Sequence, residues 1–172
     1  MSRTSAAVIV SCAMAEEAQP FVDALPERTG AQPPTLPGSA QAWSLQLPGG
    51  ERELILVRSG IGLVAAASAL AAVLTQVRPG TVVSAGTTGG LGRQVQVGDV
   101  CASANLAYTD ADATAFGYAR GQTPGQPETF AGDPALLERL EQVGPEALRG
   151  ATASSGSARL HVGRMLAGNS FV

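Results

Sequence analysis

The sequence predicts an α/β fold built on a mixed sheet. Two near-continuous apolar runs of strand length, Ala6 to Cys12 and Thr81 to Val83, read as strands covered on both faces. Between them, Leu63 to Val77 is rich in alanine and poor in charge, which predicts a nearly buried helix. The 21 glycines and 11 prolines imply many turns, which favours a layered α/β architecture over a helical bundle. At 172 residues the chain suits one domain, residues 1–172, without internal repeat or linker. Its 45% hydrophobic content, only 4% aromatic, calls for a core of Ala, Val and Leu.

Taken in order, Ala6 to Cys12 is the expected central strand. Met14 to Leu25 follows with helical spacing of Phe21, Val22 and Leu25, and Pro20 fits a helix if it lies in the first turn. Pro26 to Ser39 reads as a surface connection. Ala42 to Leu47 and Glu53 to Val57, joined through Pro48-Gly49-Gly50, form a hairpin and make the sheet mixed. Ser59-Gly60-Ile61-Gly62 then opens the alanine-rich helix, and Arg78-Pro79-Gly80 stops it. Gln94 to Ser103 alternates about a Gly98-Asp99 turn and predicts another strand pair. The segment from Tyr108 to Pro127 lacks a clean period yet concentrates aromatics, Asp110, Asp112 and glycine, as a functional or interface loop does. Asp133-Pro134 supplies an N-cap and first helical residue for a helix through Val143, ending near Gly144-Pro145. Val162 to Phe171 restores a strand.

Composition narrows the function classes. A net charge of −3 with dispersed basic residues excludes a nucleic-acid footprint, so the expected ligand is small. The apolar run after Arg3 is too short for a signal peptide or a membrane span, which makes the cytoplasm the expected compartment. Cys12 and Cys101 lack metal-ligand spacing and read as reduced, buried thiols; no metal and no cofactor are expected. The single histidine, His161, reads as a packed or surface residue rather than a catalyst.

Two places suit chemistry. Thr81 to Gly92, TVVSAGTTGGLG, runs from a strand into Gly86, Gly89 and Gly90, where missing Cβ atoms permit positive φ and expose backbone amides, while Thr87 and Thr88 offer hydroxyls. It is either a binding loop or an ordinary glycine turn. Glu16 and Glu17 stand at a helix N-terminus beyond the carboxyl end of a strand, where ligands of open α/β sheets bind; complementing the helix dipole is the alternative.

Five motifs occur in order: Ala13-Met14-Ala15-Glu16-Glu17, Ser59-Gly60-Ile61-Gly62, Ala85-Gly86-Thr87-Thr88-Gly89-Gly90-Leu91, Asp110-Ala111-Asp112-Ala113-Thr114-Ala115-Phe116-Gly117-Tyr118 and Gly168-Asn169-Ser170-Phe171-Val172. Together they resemble the 5'-methylthioadenosine/S-adenosylhomocysteine nucleosidases, across essentially the whole chain. The resemblance implies a nucleoside phosphorylase-like three-layer fold, a twisted mixed sheet flanked by helices, usually in a homodimer. It implies hydrolysis of the N-glycosidic bond of 5'-methylthioadenosine and S-adenosylhomocysteine, releasing adenine. Carried over by motif, Glu17 matches the carboxylate that activates water, with Glu16 its less critical neighbour. Thr87 replaces a serine near the ribosyl group, and Gly86 and Gly89 belong to the substrate loop. Met14, Ile61 and Ala113 would line the ribose and 5'-alkylthio region, Phe116 and Pro124 would reach the partner's pocket, and Phe171 and the Val172 backbone would hold adenine. The family carries beyond this point a ribose-binding glutamate and an aspartate that protonates the purine. Their absence leads to the expectation of a fragment, with a truncated, impaired binding or structural subunit as the alternative. A related adenine nucleosidase, such as one acting on aminofutalosine, or a phosphorylase is the enzymatic alternative.

Overall fold

A computed structural model describes residues 7–50, 52–150 and 157–169. The chain divides into two compact units, Met1–Thr88 and Gly89–Val172.

The first unit is a four-stranded sheet between two helices. Strands β1 (Val8–Cys12), β2 (Gln41–Gln46), β3 (Glu53–Arg58) and β4 (Thr81–Ser84) lie in the order β2-β3-β1-β4, with helices α1 (Ala15–Ala24) and α2 (Leu63–Gln76). β1 pairs in parallel with both β3 and β4, and β2 is antiparallel to β3, so the sheet is mixed and β1 is interior, as expected. The hairpin turn places Gly49 and Gly50 at φ 90° and 79°, which side chains rarely adopt. Strand alternation then sorts the core. Ile9, Ile55 and Val57 face Ala69, Val73 and Val77 at the end of and along α2. Val10, Cys12, Leu54 and Leu56 face Ala18, Phe21, Val22 and Leu25 on the α1 side. Each fully buried aliphatic side chain contributes about 1.5–3 kcal/mol relative to exposure.

The second unit carries β5 (Val100–Tyr108), a 3-10 turn at Thr114–Phe116, β6 (Phe130–Ala131), α3 (Pro134–Leu148) and β7 (Leu160–Ala167). Its sheet has the order β6-β5-β7, with β5 parallel to β7 and antiparallel to β6. Asp133 caps α3 as the sequence indicates, its carboxylate accepting from the amides of Ala135 (2.9 Å) and Leu136 (3.1 Å).

Several expectations are corrected. Pro20 lies in the interior of α1, beyond the first turn; both Pro20 and Glu16, whose carbonyl loses its partner, are exposed, so water satisfies the freed group. α2 is amphipathic in use: Ala69 and Val73 are buried, but Val64 and Leu74 are exposed. β4 edges the sheet of its unit, and Val82 and Val83 are exposed rather than covered. Residues 94–98 form turns, and the strand is displaced to Val100–Tyr108, because Asp99 accepts from the Gln96 amide (3.0 Å) and folds the preceding valines into a loop. α3 runs through Gly144-Pro145 to Leu148; Gly144 is buried where a Cβ would lie 3.2 Å from Leu160 Cδ2, so packing on β7 continues the helix past the proline. β7 begins two residues early and ends at Ala167. Cys101 is half-buried, Cys12 buried, and both are free thiols.

Candidate functional site

The site is built at the carboxyl ends of three parallel strands of the first unit. Register sets Cys12 beside Arg58 and Ser11 beside Ser84, so the loops after β1, β3 and β4 leave from one rim. Backbone bonds tie them together: the Ser59 amide donates to the Cys12 carbonyl (2.9 Å), the Gly60 amide to Ala13 (3.2 Å) and the Ala85 amide to Ser11 (2.9 Å). The buried Ser59 hydroxyl adds a bond to the Cys12 carbonyl at 3.2 Å. Both glycine-bearing turns thus open on the rim that carries the helix N-terminus of α1.

Glu17 is at the centre of this arrangement. It occupies the third position of α1, whose N-cap is Met14. Its Oε2 accepts from the amides of Ala13 (2.9 Å) and Met14 (3.0 Å), closing one half of a capping box. Its Oε1 accepts from the Thr87 amide (2.7 Å) and the Thr87 hydroxyl (2.9 Å), seventy residues away. Burial on its own raises the pKa of this carboxyl, but the four donors, the Thr87 amide foremost, outweigh it and hold Glu17 below the usual carboxylate range. Glu17 is therefore an anion at neutral pH, half-buried and fixed in direction, whereas Glu16 is exposed. Beneath it the Cys12 thiol is pushed up by burial and by the Glu17 charge, and donates weakly to the Glu17 carbonyl at 3.7 Å.

The glycine loop differs from its expected conformation. Gly86, Gly89 and Gly90 do not adopt positive φ; that conformation occurs in the other rim turn, at Gly60 (φ 92°) and Gly62 (φ 105°). The loop glycines are needed for space instead. A Cβ on Gly86 would lie 2.8 Å from Glu17 Oε1, and one on Gly90 2.8 Å from Val95 Cγ1. The amide and hydroxyl of Thr87, expected to face a ligand, face Glu17.

Met14, Glu17, Gly86 and Thr87 thus come together, with Ile61 exposed on the turn between β3 and α2. Gly89 is exposed at the start of the second unit. Within that unit Ala113 is buried, Phe116 is 82% exposed and Pro124 is exposed. Asp112 shapes their loop: it accepts from the Thr114 amide (3.1 Å) and hydroxyl (2.7 Å) and pairs with Arg120 at 3.0 Å. The Asn169 amide donates to Asp110 (2.7 Å), anchoring the last motif as far as it is described. Phe171 and Val172 lie outside the described residues. Sequence reasoning missed the Ala13 and Met14 amides as donors, although a glutamate three residues into a helix is the signal for them. It also missed the pair between His161 Nε2 and Asp99 Oδ2 (2.7 Å), which joins β7 to the turn before β5. Among the described residues no cluster of three or more His, Cys, Asp and Glu is placed to hold a metal ion, and no helix is long and apolar enough to cross a membrane.

Comparison with known proteins agrees with the motifs. The family model of the phosphorylase superfamily matches residues 7–172. The 5'-methylthioadenosine/S-adenosylhomocysteine nucleosidase of Actinobacillus succinogenes is 36% identical over 135 residues, 78% of this chain and 54% of that protein. Among solved structures, the nucleosidase of Neisseria meningitidis in complex with methylthio-immucillin-A superposes with a TM-score of 0.83 at 31% identity, over 97% of this chain and 66% of that one. The S-adenosylhomocysteine nucleosidase of Streptococcus pyogenes in complex with 5-methylthiotubericidin gives a TM-score of 0.80 at 31% identity, over 99% and 66%. The chain spans about half the length of the curated relatives it matches.

Proposed function

The chain belongs to the phosphorylase superfamily, and on that premise we propose that it carries the water-activating part of a nucleosidase that releases adenine from 5'-methylthioadenosine and S-adenosylhomocysteine. The observation that carries this reading is the Glu17 carboxylate, held as an anion by donors from two loops at the carboxyl ends of β1 and β4. Glycosidic cleavage passes through an oxocarbenium-like transition state, and a fixed carboxylate both orients the attacking water and stabilises the positive charge that develops on the sugar. The relatives' names and the nucleoside-analogue complexes of the solved structures support the substrate class. In this reading Met14, Ile61 and Ala113 line the 5'-alkylthio region, Gly86, Thr87 and Gly89 border the ribose, and Phe171 with the Val172 backbone holds adenine. One family model running unbroken over residues 7–172 supports a single domain.

The working form is a homodimer in which Phe116 and Pro124 complete the partner's pocket. The 82% exposure of Phe116 supports this, because covering such a side chain with a second copy removes apolar surface from water. The two free thiols fit a reducing, cytoplasmic setting. Against a phosphorylase stands the orientation of the rim donors: the amides of Ala13, Met14 and Thr87 are bonded to a carboxylate, which would repel phosphate. The test is product analysis with 5'-methylthioadenosine. Free 5-methylthioribose and adenine are expected, with release abolished in Glu17→Gln. A phosphorylated sugar, or near-normal turnover in the variant, overturns the reading.

A further inference from the structure

Gly86 directly follows the Ala85 amide that continues the β4 pairing, and the place a Cβ would take on it lies against the Glu17 carboxyl group. We infer that Gly86 is a positioning residue for Glu17: the missing Cβ is what allows the carboxylate to come within reach of both Thr87 donors. An ideal Cβ would meet three atoms of that one group, Oε1 at 2.8 Å, Cδ at 3.0 Å and Oε2 at 3.1 Å. Gly86 does not occupy the left-handed region, so its conservation of space, not its conformational freedom, is what the site uses.

This geometry makes an alanine there a selective perturbation. The backbone there has no left-handed φ that would strain an alanine, and the nearest obstruction is the end of a side chain, so the Glu17 carboxylate is expected to move and the fold to stay. Moving it a few tenths of an ångström or more away from Gly86 lengthens the bonds from the Thr87 amide and hydroxyl, now 2.7 and 2.9 Å. The bonds from Ala13 and Met14 originate on the other side, from the loop after β1, and act as a hinge about which the carboxylate turns. The titratable group coupled to Glu17 from the packed strand is Cys12, which keeps its burial in the variant.

The consequence for turnover rests on the nucleosidase reading; the consequence for the carboxylate does not. The experiment is a carbon-13 NMR titration of the Glu17 side chain in the wild type, in Gly86→Ala and in Gly89→Ala, with thermal unfolding alongside. A Cβ at Gly89 meets nothing within 4 Å, so it controls for adding a methyl group to the loop. Expected is an upward shift of the Glu17 midpoint and loss of hydrogen-exchange protection at the Thr87 amide in Gly86→Ala alone, with an unfolding temperature close to that of the wild type. In the adenine-release assay the same variant should lose kcat by about 10- to 100-fold, since misplacing a catalytic group by about 1 Å can cost about 100-fold. An unmoved Glu17 midpoint with intact Thr87 protection in folded Gly86→Ala overturns the inference, as does an equal shift in Gly89→Ala. If Gly86→Ala does not fold, the double variant Gly86→Ala/Glu17→Ala decides: recovered folding supports a clash with the Glu17 carboxyl group, and a double variant that also fails to fold overturns the inference. A wild type that releases no adenine, with the Glu17 shift still present in Gly86→Ala, sinks the nucleosidase reading and supports the positioning role.

Discussion

Replacing Thr87 by valine removes one donor to Glu17 and almost nothing else. The side chains are of nearly equal volume, the Thr87 amide keeps its 2.7 Å bond to Oε1, and the 2.9 Å bond from the hydroxyl to the same oxygen is lost. A hydrogen bond to a charged group contributes about 1.5–3 kcal/mol when shielded. Thr87 is exposed, so solvent screening reduces the expected destabilisation at pH 7 to about 0.5–1 kcal/mol. The pH dependence follows from the direction of the shift. Glu17 titrates below its ordinary value in the folded protein. The stabilisation is therefore complete above about pH 5, past the unfolded value of about 4.3, and is lost as pH falls through the folded value. Thr87→Val raises the folded value toward the unfolded one and narrows that window. Urea denaturation across pH 3 to 8 reads this directly: the gap between wild type and variant should be largest near neutrality and shrink under acid, while Thr87→Ser stays close to wild type. A gap that is constant with pH, or a serine variant as weak as valine, would refute the assignment of the effect to the Glu17 bond.

The other expectations concern separate parts of the chain. Asp99 is held down to about 2 by donation from the Gln96 and Arg159 amides and from His161, so its stabilisation is present above the ordinary carboxylate range and lost as pH falls through about 2. Asp99→Asn should therefore unfold earlier than wild type at pH 7, with the difference closing toward pH 2 in a thermal melt. Gly132→Ala drives a Cβ into the Ser103 backbone carbonyl, which cannot yield, and should cost about 1–3 kcal/mol by denaturation; no loss would show that β6 shifts freely. Phe116→Ala should weaken self-association in sedimentation and raise the KM for thioether nucleosides together; a fully active monomeric wild type counts against that coupling. Ala113→Val should move the ratio of kcat/KM about 10-fold or more toward 5'-methylthioadenosine over S-adenosylhomocysteine, and an unchanged ratio removes Ala113 from the specificity argument.

How far the sequence carried depends on whether a feature was local. The β1 strand, the Pro48-Gly49-Gly50 hairpin and the Asp133 cap depend on neighbours a few residues away, and each is found where periodicity and turn chemistry put it. Glu17 was legible as a carboxylate at the start of a helix following a buried strand. Its hold by Thr87 was not, because that contact needs the parallel pairing of β1 with β4 to bring the two loops onto one rim. The same limit applies to His161, whose partner Asp99 is 62 residues away and meets it through the β5–β7 pairing. The helix start near Pro20 and the helix end near Pro145 were misplaced for another reason. Proline costs one backbone bond, and whether a helix stops there depends on whether water or packing compensates, which propensity does not encode.

The state of Glu17 also decides how its proposed work divides between proton transfer and charge. A general base acts best with a pKa near the working pH, and the four donors lower the pKa of this carboxyl, away from neutrality, so it accepts a proton reluctantly. Each oxygen already receives two hydrogen bonds, so an attacking water reaches the carboxylate in line only if a donor yields. The Thr87 hydroxyl is the donor able to yield, since it rotates about one bond while the three amides are fixed by the loops. A negative charge held immobile beside a developing oxocarbenium ion needs no reorganisation as the sugar turns positive, and that term is commonly the largest in such sites. On the proposed nucleosidase reading, Glu17 would therefore act first through its field and by orienting water, with proton acceptance following as the sugar–base bond breaks. On that division Glu17→Gln, which keeps shape and loses charge, should be as damaging as Glu17→Ala, and a glutamine variant that is clearly less damaged than the alanine variant would overturn the division, while one retaining most of the rate would overturn the nucleosidase reading itself.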